Sequence, residues 1–443
     1  MPSDHQPNTR SAIAASPATG RNERGLSPAR HVLPNGLTIL AKETRTTPAI
    51  TIHAGFHAGT AYDPQDCAGL AHFVSKTIDR GTESRTADQI AEELDSRGVS
   101  LTVAVNRHAM WLVCTCLSED FERILALVGD IAIRPAFPES EVETRRGEII
   151  TLLRQDQDNP ATVAMETMMR GLYGNDHAYG RPVRGTLETV ERMTAGDLRR
   201  FHRARFAPQA LSLALVGDVG ADRAMAATAS VFGEWQADAP AGMNVVHVEP
   251  ARARRSTVLP MMNKAQADVA YGFVAIRRGD PRYYAYWVMN NILGQYALGG
   301  RLGDSIRERQ GMAYYTFSSL DASVAPGPLV VRAGVGPANV ERAVSSIDVE
   351  LSRFAADGPT DRELAESKQY LIGSMPRTLE TNAGIATFLQ TAELFGLGLD
   401  YDLRLPALLG DVSRDQVHEA ARATLDPSRA TVVVAGPYSG SLQ

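Results

Sequence analysis

Apolar residues cluster or alternate over short stretches at HVLPNGLTILAKE (31–43), AITIHAGFHAG (49–59), VSLTVAV (99–105) and MWLVCTCL (110–117). Runs of this length, rich in Val, Ile, Thr and aromatic residues and bounded by turn formers, predict strands. ADVAYGFVA (267–275) and GPLVVRAGV (327–335) predict two more in the second half of the chain. Strands that follow one another with no helix between them pair antiparallel and leave helices to cover the sheet. The apolar spacing becomes that of an amphipathic helix at EDFERILALVGDIAIRPAF (119–137) and ANVERAVSSIDVELSRFAA (338–356).

These patterns repeat. TAGDLRRFHRARFAPQALSLALVGD (194–218) lies over SRDQVHEAARATLDPSRATVVVAGP (413–437), so that Thr194 meets Ser413, Pro208 meets Pro427 and Gly217 meets Gly436, each pair 219 positions apart. Each copy opens on an N-cap Ser or Thr, turns at a Pro and ends an apolar strand at Gly. The two amphipathic helices share the same offset. The expected fold is therefore α+β: two homologous domains, each a mainly antiparallel sheet with helices packed on one face. The expected boundaries are a flexible tail over 1–28, a first domain over 29–235, a linker over 236–256 and a second domain over 257–443. Pro, Gly and the basic RARR (252–255) interrupt the pattern in the linker, and the short basic run reads as solvated.

Composition narrows this picture without changing it. The 443 residues exceed one ordinary core, and 44% hydrophobic with 22% charged residues describes a globular protein. A net charge of −6 gives no reason to expect nucleic acid or an anionic membrane as partner. The tail, rich in Ser, Ala, Pro and Arg, lacks the apolar core of a secretory signal, and no run of 18 apolar residues suggests a membrane span. Cys67, Cys114 and Cys116 make neither a disulfide framework nor a tetrahedral zinc set. They read as thiols in a reducing compartment, and the chain as cytoplasmic.

Four stretches in order, LPNGLTILAKE, AGLAHFVSKTIDRGT (68–82), HAYGRPVRGT (177–186) and GRLGDSIRERQGMAYYTFSSL (300–320), resemble the pitrilysin/insulinase peptidases. The likeness, over about 30–437, is to two-domain members such as the mitochondrial processing peptidase. The second stretch is similar to the family's G-x-A-H-F-x-E-H-x-x-x-x-G-T, and the fourth to its S-R-L-x-x-x-[IL]-R-E-x-x-G-L-A-Y. Active members carry H-x-x-E-H, in which two His and a distal Glu hold zinc and the intervening Glu activates water.

Carried onto this chain, the first ligand position is His72, the general-base position Ser75 and the second ligand position Lys76. The distal ligand falls at Leu152 and its supporting acid at Arg145, with Glu148 one helical turn away from the ligand position. One imidazole cannot hold a catalytic zinc ion, Lys76 brings an ammonium to the cation's place, and Ser75 has no basicity to spend on water. No metal is expected on this chain.

The second half keeps a different part of the resemblance. IRERQGMAY sets Arg307 and Tyr314 seven residues apart. The resemblance implies that such a pair reaches from the second domain toward a metal centre, where Arg binds substrate backbone and Tyr assists the oxyanion. Tyr315 faces the other side of the strand and is the alternative if the register slips. The edge strand that receives substrate in active members resembles G-A-x-x-N-A-x-T; here GVSLTVAVN has Thr102 for the Asn and Val103 for the Ala.

LGQYALGGRLG (293–303) matches neither phosphate-loop nor dinucleotide fingerprints. The implied function is a zinc-less subunit of a heterodimeric metallopeptidase. It supplies Arg307 and Tyr314 in trans to an H-x-x-E-H partner that carries the zinc and cleaves peptides. The alternatives are a catalytically inactive structural or peptide-binding scaffold, and an independent hydrolase with a different site.

Overall fold

A computed structural model describes residues 25–243, 248–295 and 299–442. Most of the expected tail, the stretch 244–247 of the linker and 296–298 within LGQYALGGRLG lie outside the described residues.

The first half forms strands β1 (Ala29–Val32), β2 (Thr38–Glu43), β3 (Ala49–Phe56), β4 (Thr102–Val105), β5 (Met110–Leu117) and β6 (Leu211–Gly217). They make one sheet in the order β1-β2-β6-β3-β5-β4. The stretch expected as one strand over 31–43 is a hairpin, because Gly36 turns the chain with φ +94 and lets β1 pair back on β2. The second half forms β7 (Arg255–Pro260), β8 (Ala267–Val274), β9 (Ala313–Leu320), β10 (Pro328–Val335) and β11 (Thr431–Gly436), in the order β7-β11-β8-β10-β9. In each sheet one pair is parallel, β2 with β6 and β7 with β11, and the rest are antiparallel. The helices Ala195–Arg205 and Arg414–Thr424 stand at the 219 offset and carry capping boxes at Thr194 and Ser413. The fold is the duplicated α+β architecture that the repeat implied.

Alternation sorts each strand's side chains to two faces. On β2 and β6, Ile39, Leu213 and Leu215 enter the first core, which includes Phe73 and Ile124 from the same half. Leu40, Ala214 and Val216 point the other way and pack on Ile385, Ala386 and Leu389. Those three belong to the helix Asn382–Leu394, which lies in the second half of the sequence. The reciprocal holds: Ala270, Val330 and Val433 of the second sheet pack on Ala164, Met168 and Met169 of the helix Pro160–Tyr173, from the first half.

Each half thus lends one helix to the other half's second sheet face. Polar contacts fix the seat. Gln390 Nε2 donates to the carbonyls of His53 (2.7 Å) and Ser212 (2.9 Å), and its Oε1 accepts from Ser212 Oγ. The basic RARR differs from its solvated reading: Arg254 is ion-paired with Asp348 at 3.0 Å and lies over the Tyr271 ring.

Candidate functional site

Ala71 through Ser75 are buried, and the helix that bears them, Leu70–Thr77, opens on Gly69, whose φ of +93 only glycine adopts without strain. A Cβ at Gly69 would meet the Arg184 carbonyl oxygen at 2.6 Å, and one at Gly185 would meet the Ala68 carbonyl at 2.3 Å. The loop from Tyr179 to Thr186 is therefore pressed against the start of this helix. Asp63 holds the same end, accepting from the amides of Gly69 and Ala71 at 2.8 Å each. Burial pushes its carboxyl up to about 7 against the pull of those amides and of Arg181.

His72 is 8% exposed, and its Nε2 is buried without a hydrogen-bond partner. Burial, with Lys76 and Arg184 nearby, lowers its pKa to about 4, so the ring is neutral at physiological pH. Ser75 is turned inward and donates to the His72 carbonyl at 2.7 Å. Lys76 is exposed. Leu152 and Glu148 lie on the exposed side of the helix Glu139–Gln157, where Glu148 pairs with Arg145 at 2.5 Å. This donor set does not fit zinc: one imidazole faces an ammonium, a hydroxyl already spent on backbone and an alkyl chain. Among the described residues, no group of three or more His, Cys, Asp or Glu is placed to hold a metal ion.

Arg307 lies in the π-helical segment Gly303–Arg309, and Tyr314 follows on β9, an edge strand of the second sheet. Arg307 is exposed, its one ion pair among the described residues a loose contact to its neighbour Glu308 (3.7 Å), and Tyr314 is 65% exposed. Tyr315 is tied down. Its hydroxyl donates to Asp268 and its ring covers Gly334, while burial and the Asp268 carboxylate raise its pKa. Of the two tyrosines, Tyr314 is the one free to meet a ligand.

The structure does not bring the two sets of residues into one pocket. His72 lines a cavity of about 520 Å³ whose other walls include Val105, Asp156, Met165, Glu166 and four arginines: Arg107, Arg181, Arg184 and Arg332. Neither Arg307 nor Tyr314 lines it. The arginines were missed from sequence, although signals existed. Arg332 breaks the apolar run of β10, and Arg181 and Arg184 sit three apart in GRPVRGT.

The family model described as insulinase (peptidase family M16) matches residues 38–187, and the one described as peptidase M16 inactive domain matches 192–371. An uncharacterized zinc protease of Streptomyces coelicolor is 27% identical over 436 residues, covering 96% of this chain and 93% of the relative. The uncharacterized zinc protease YmxG of Bacillus subtilis is 24% identical, covering 80% and 84%. In fold, the chain is similar to the crystal structure of a peptidase M16 inactive domain from Pseudomonas fluorescens. That similarity has a TM-score of 0.86 at 24% identity, over 94% of this chain and 100% of that one. A protease from Helicobacter pylori gives 0.84 at 16% identity, over 92% and 99%.

Proposed function

The chain belongs to the insulinase family of peptidases, M16, and from that premise we propose that it is the zinc-less subunit of a heterodimeric peptidase. Its partner would be a paralogue bearing H-x-x-E-H, which holds the zinc and activates water. This chain would lend Arg307 and Tyr314 across the interface. The observation that carries the reading is a contrast between two sites. Around His72 the ligand positions hold one another or face solvent, whereas Arg307 and Tyr314 stand exposed and uncommitted at a sheet edge.

The chemistry follows from the side chains. A peptide extended along an edge strand offers alternating carbonyls, to which the Arg307 guanidinium donates from its fixed fork. The Tyr314 hydroxyl donates to oxygen that gains negative charge as the carbonyl becomes tetrahedral, a contribution of about 10²–10³ in kcat where such a donor has been removed. The relatives named as zinc proteases support the peptidase lineage, and the lost ligands of this chain favour a share of the work outside the degenerate zinc position.

The test is to purify the chain with an H-x-x-E-H paralogue and measure peptide cleavage. Arg307→Ala with Tyr314→Phe should lower kcat/KM by about 100-fold or more while the heterodimer stays intact on gel filtration. An unchanged rate refutes the role. A stable homodimer indifferent to every paralogue turns the reading to a scaffold.

A further inference from the structure

The cavity beside His72 has a charge that no peptidase step in this chain uses. Arg184 is committed to Asp156 by an ion pair. Glu166, the other acid in the wall, is half-buried, and burial together with Asp156 raises its pKa against Arg170 and Arg184. The remaining three arginines have no carboxylate within ion-pair distance among the described residues. Arg107 lies over the Tyr179 ring at 5.7 Å, and Arg181 donates to the Asp63 carbonyl at 3.1 Å. Arg332 donates to the Ala161 carbonyl at 3.4 Å, lies over the Phe317 ring at 5.8 Å and interacts with the Tyr315 hydroxyl. Each guanidinium has five N–H donors, and the Nε of Arg107 and of Arg181 are buried without partners. The unpartnered Nε2 of His72, on a ring more than nine-tenths buried, lines the same space.

Buried donors of this kind are costly unless an acceptor arrives. We propose that this cavity binds a peptide carboxylate, clasped by Arg107, Arg181 and Arg332.

Three features favour a peptide over a free ion. The volume falls within the roughly 300–1,000 Å³ of small-ligand sites, well above what one carboxylate fills. Val105, Met165 and Met169 give the wall an apolar portion for side chains. Val105 is also the last residue of β4, which has a neighbouring strand on one side only. A strand added to β4 would run into the cavity and carry an acidic side chain or its C-terminus to the arginines. Arg332 comes from the second half of the chain and Arg107 from the first, so the clasp depends on the folded pair of domains. It needs no partner subunit, and its failure would leave the role of Arg307 and Tyr314 untouched.

Calorimetric titration of the full chain alone tests it, with N-acetylated octapeptides of alternating Val and Ser. One has a central Glu and a C-terminal amide, one a central Gln and a C-terminal carboxylate, and one a central Gln and an amide. Either acidic peptide should bind at least about tenfold tighter than the neutral one, as for one charge-assisted hydrogen bond, and lose that margin in salt. Which acid is preferred assigns the carboxylate to a side chain or to the terminus.

Arg107→Gln with Arg332→Gln should abolish the preference while melting like the parent, and Arg332→Lys should retain part of it. Equal affinity for acidic and neutral peptides overturns the proposal, as does a preference that survives in the folded double variant. If the double variant fails to fold, Arg332→Gln alone carries the same expectation.

Discussion

Residues 29–235 expressed alone should not fold, although they contain every strand of the first sheet. The fragment lacks the helix Asn382–Leu394, so Leu40, Ala214 and Val216 face water where the intact chain buries them. At about 1.5–3 kcal/mol for each large side chain, the sheet face forfeits about 4–7 kcal/mol. The fragment also carries the helix Pro160–Tyr173 with no second sheet to sit on. Exposing Met168, Met169, Leu172 and Tyr173 costs about 6–12 kcal/mol more, or the helix frays. Together these rival the 5–15 kcal/mol that stabilises a whole domain.

Circular dichroism in a urea titration should show a shallow, non-cooperative change for 29–235, and dye binding should report an exposed apolar face. Co-expression with 257–443 should restore a cooperative transition. In the intact chain, Leu389→Ala should cost about 2–5 kcal/mol and shift the unfolding of both sheets together, because its side chain, 1% exposed, packs on the other half. A cooperative transition of 29–235 alone, near the midpoint of the intact chain, would refute the argument.

Two further outcomes follow from single sites. Burial alone would raise the Glu363 carboxyl, but Arg301 at 2.6 and 2.8 Å and the Thr360 amide outweigh it and hold its pKa at about 2. A carboxylate depressed in the folded state adds stability above its unfolded value of about 4.3 and loses it as pH falls toward 2. Glu363→Gln should therefore flatten the loss of urea midpoint between pH 5 and 3, and parallel curves for parent and variant would count against the pairing. Gly69→Ala should lower the urea midpoint by the equivalent of about 2–4 kcal/mol. The left-handed conformation costs about 1–2 kcal/mol, and the new Cβ must also displace the Arg184 backbone. A midpoint unchanged by that substitution would mean that the loop does not bear on the helix as described.

Much of this fold was legible in the repeat. The 219-residue offset places β3 on β8, β5 on β10, and the helix Ala195–Arg205 on Arg414–Thr424. The exchange of helices was not legible, because amphipathic spacing says that a face is buried without saying which sheet buries it. Leu40 and Ile39 read alike in sequence; only the structure shows that they enter different cores, one shared with the other half. The site divides in the same way. The lost base at Ser75 and the lost ligands at Lys76 and Leu152 could be read residue by residue, since each change removes a basic or donor group or adds a charge. The basic cavity could not, because Arg107, Arg181 and Arg332 come from separate segments and become neighbours through the packing of the two halves.

That division accounts for a motif whose flanks persist without its metal. Gly69, Asp63 and Gly185 form one mechanical unit: a left-handed helix start, a carboxylate across two free amides, and a glycine where the Ala68 carbonyl leaves no room for a side chain. None of these contacts needs a metal, so their fold requirement remains when the ligands are lost. The base and ligand positions have no such requirement, and two of their replacements are informative. Ser75 turned its hydroxyl onto the helix's own backbone, which closes the helix locally. Lys76 and Arg184 bring positive charge near the His72 ring, which opposes a dication there. The same helix that positions a cation in active peptidases is here one wall of a cavity lined by four arginines, one of them paired with Asp156.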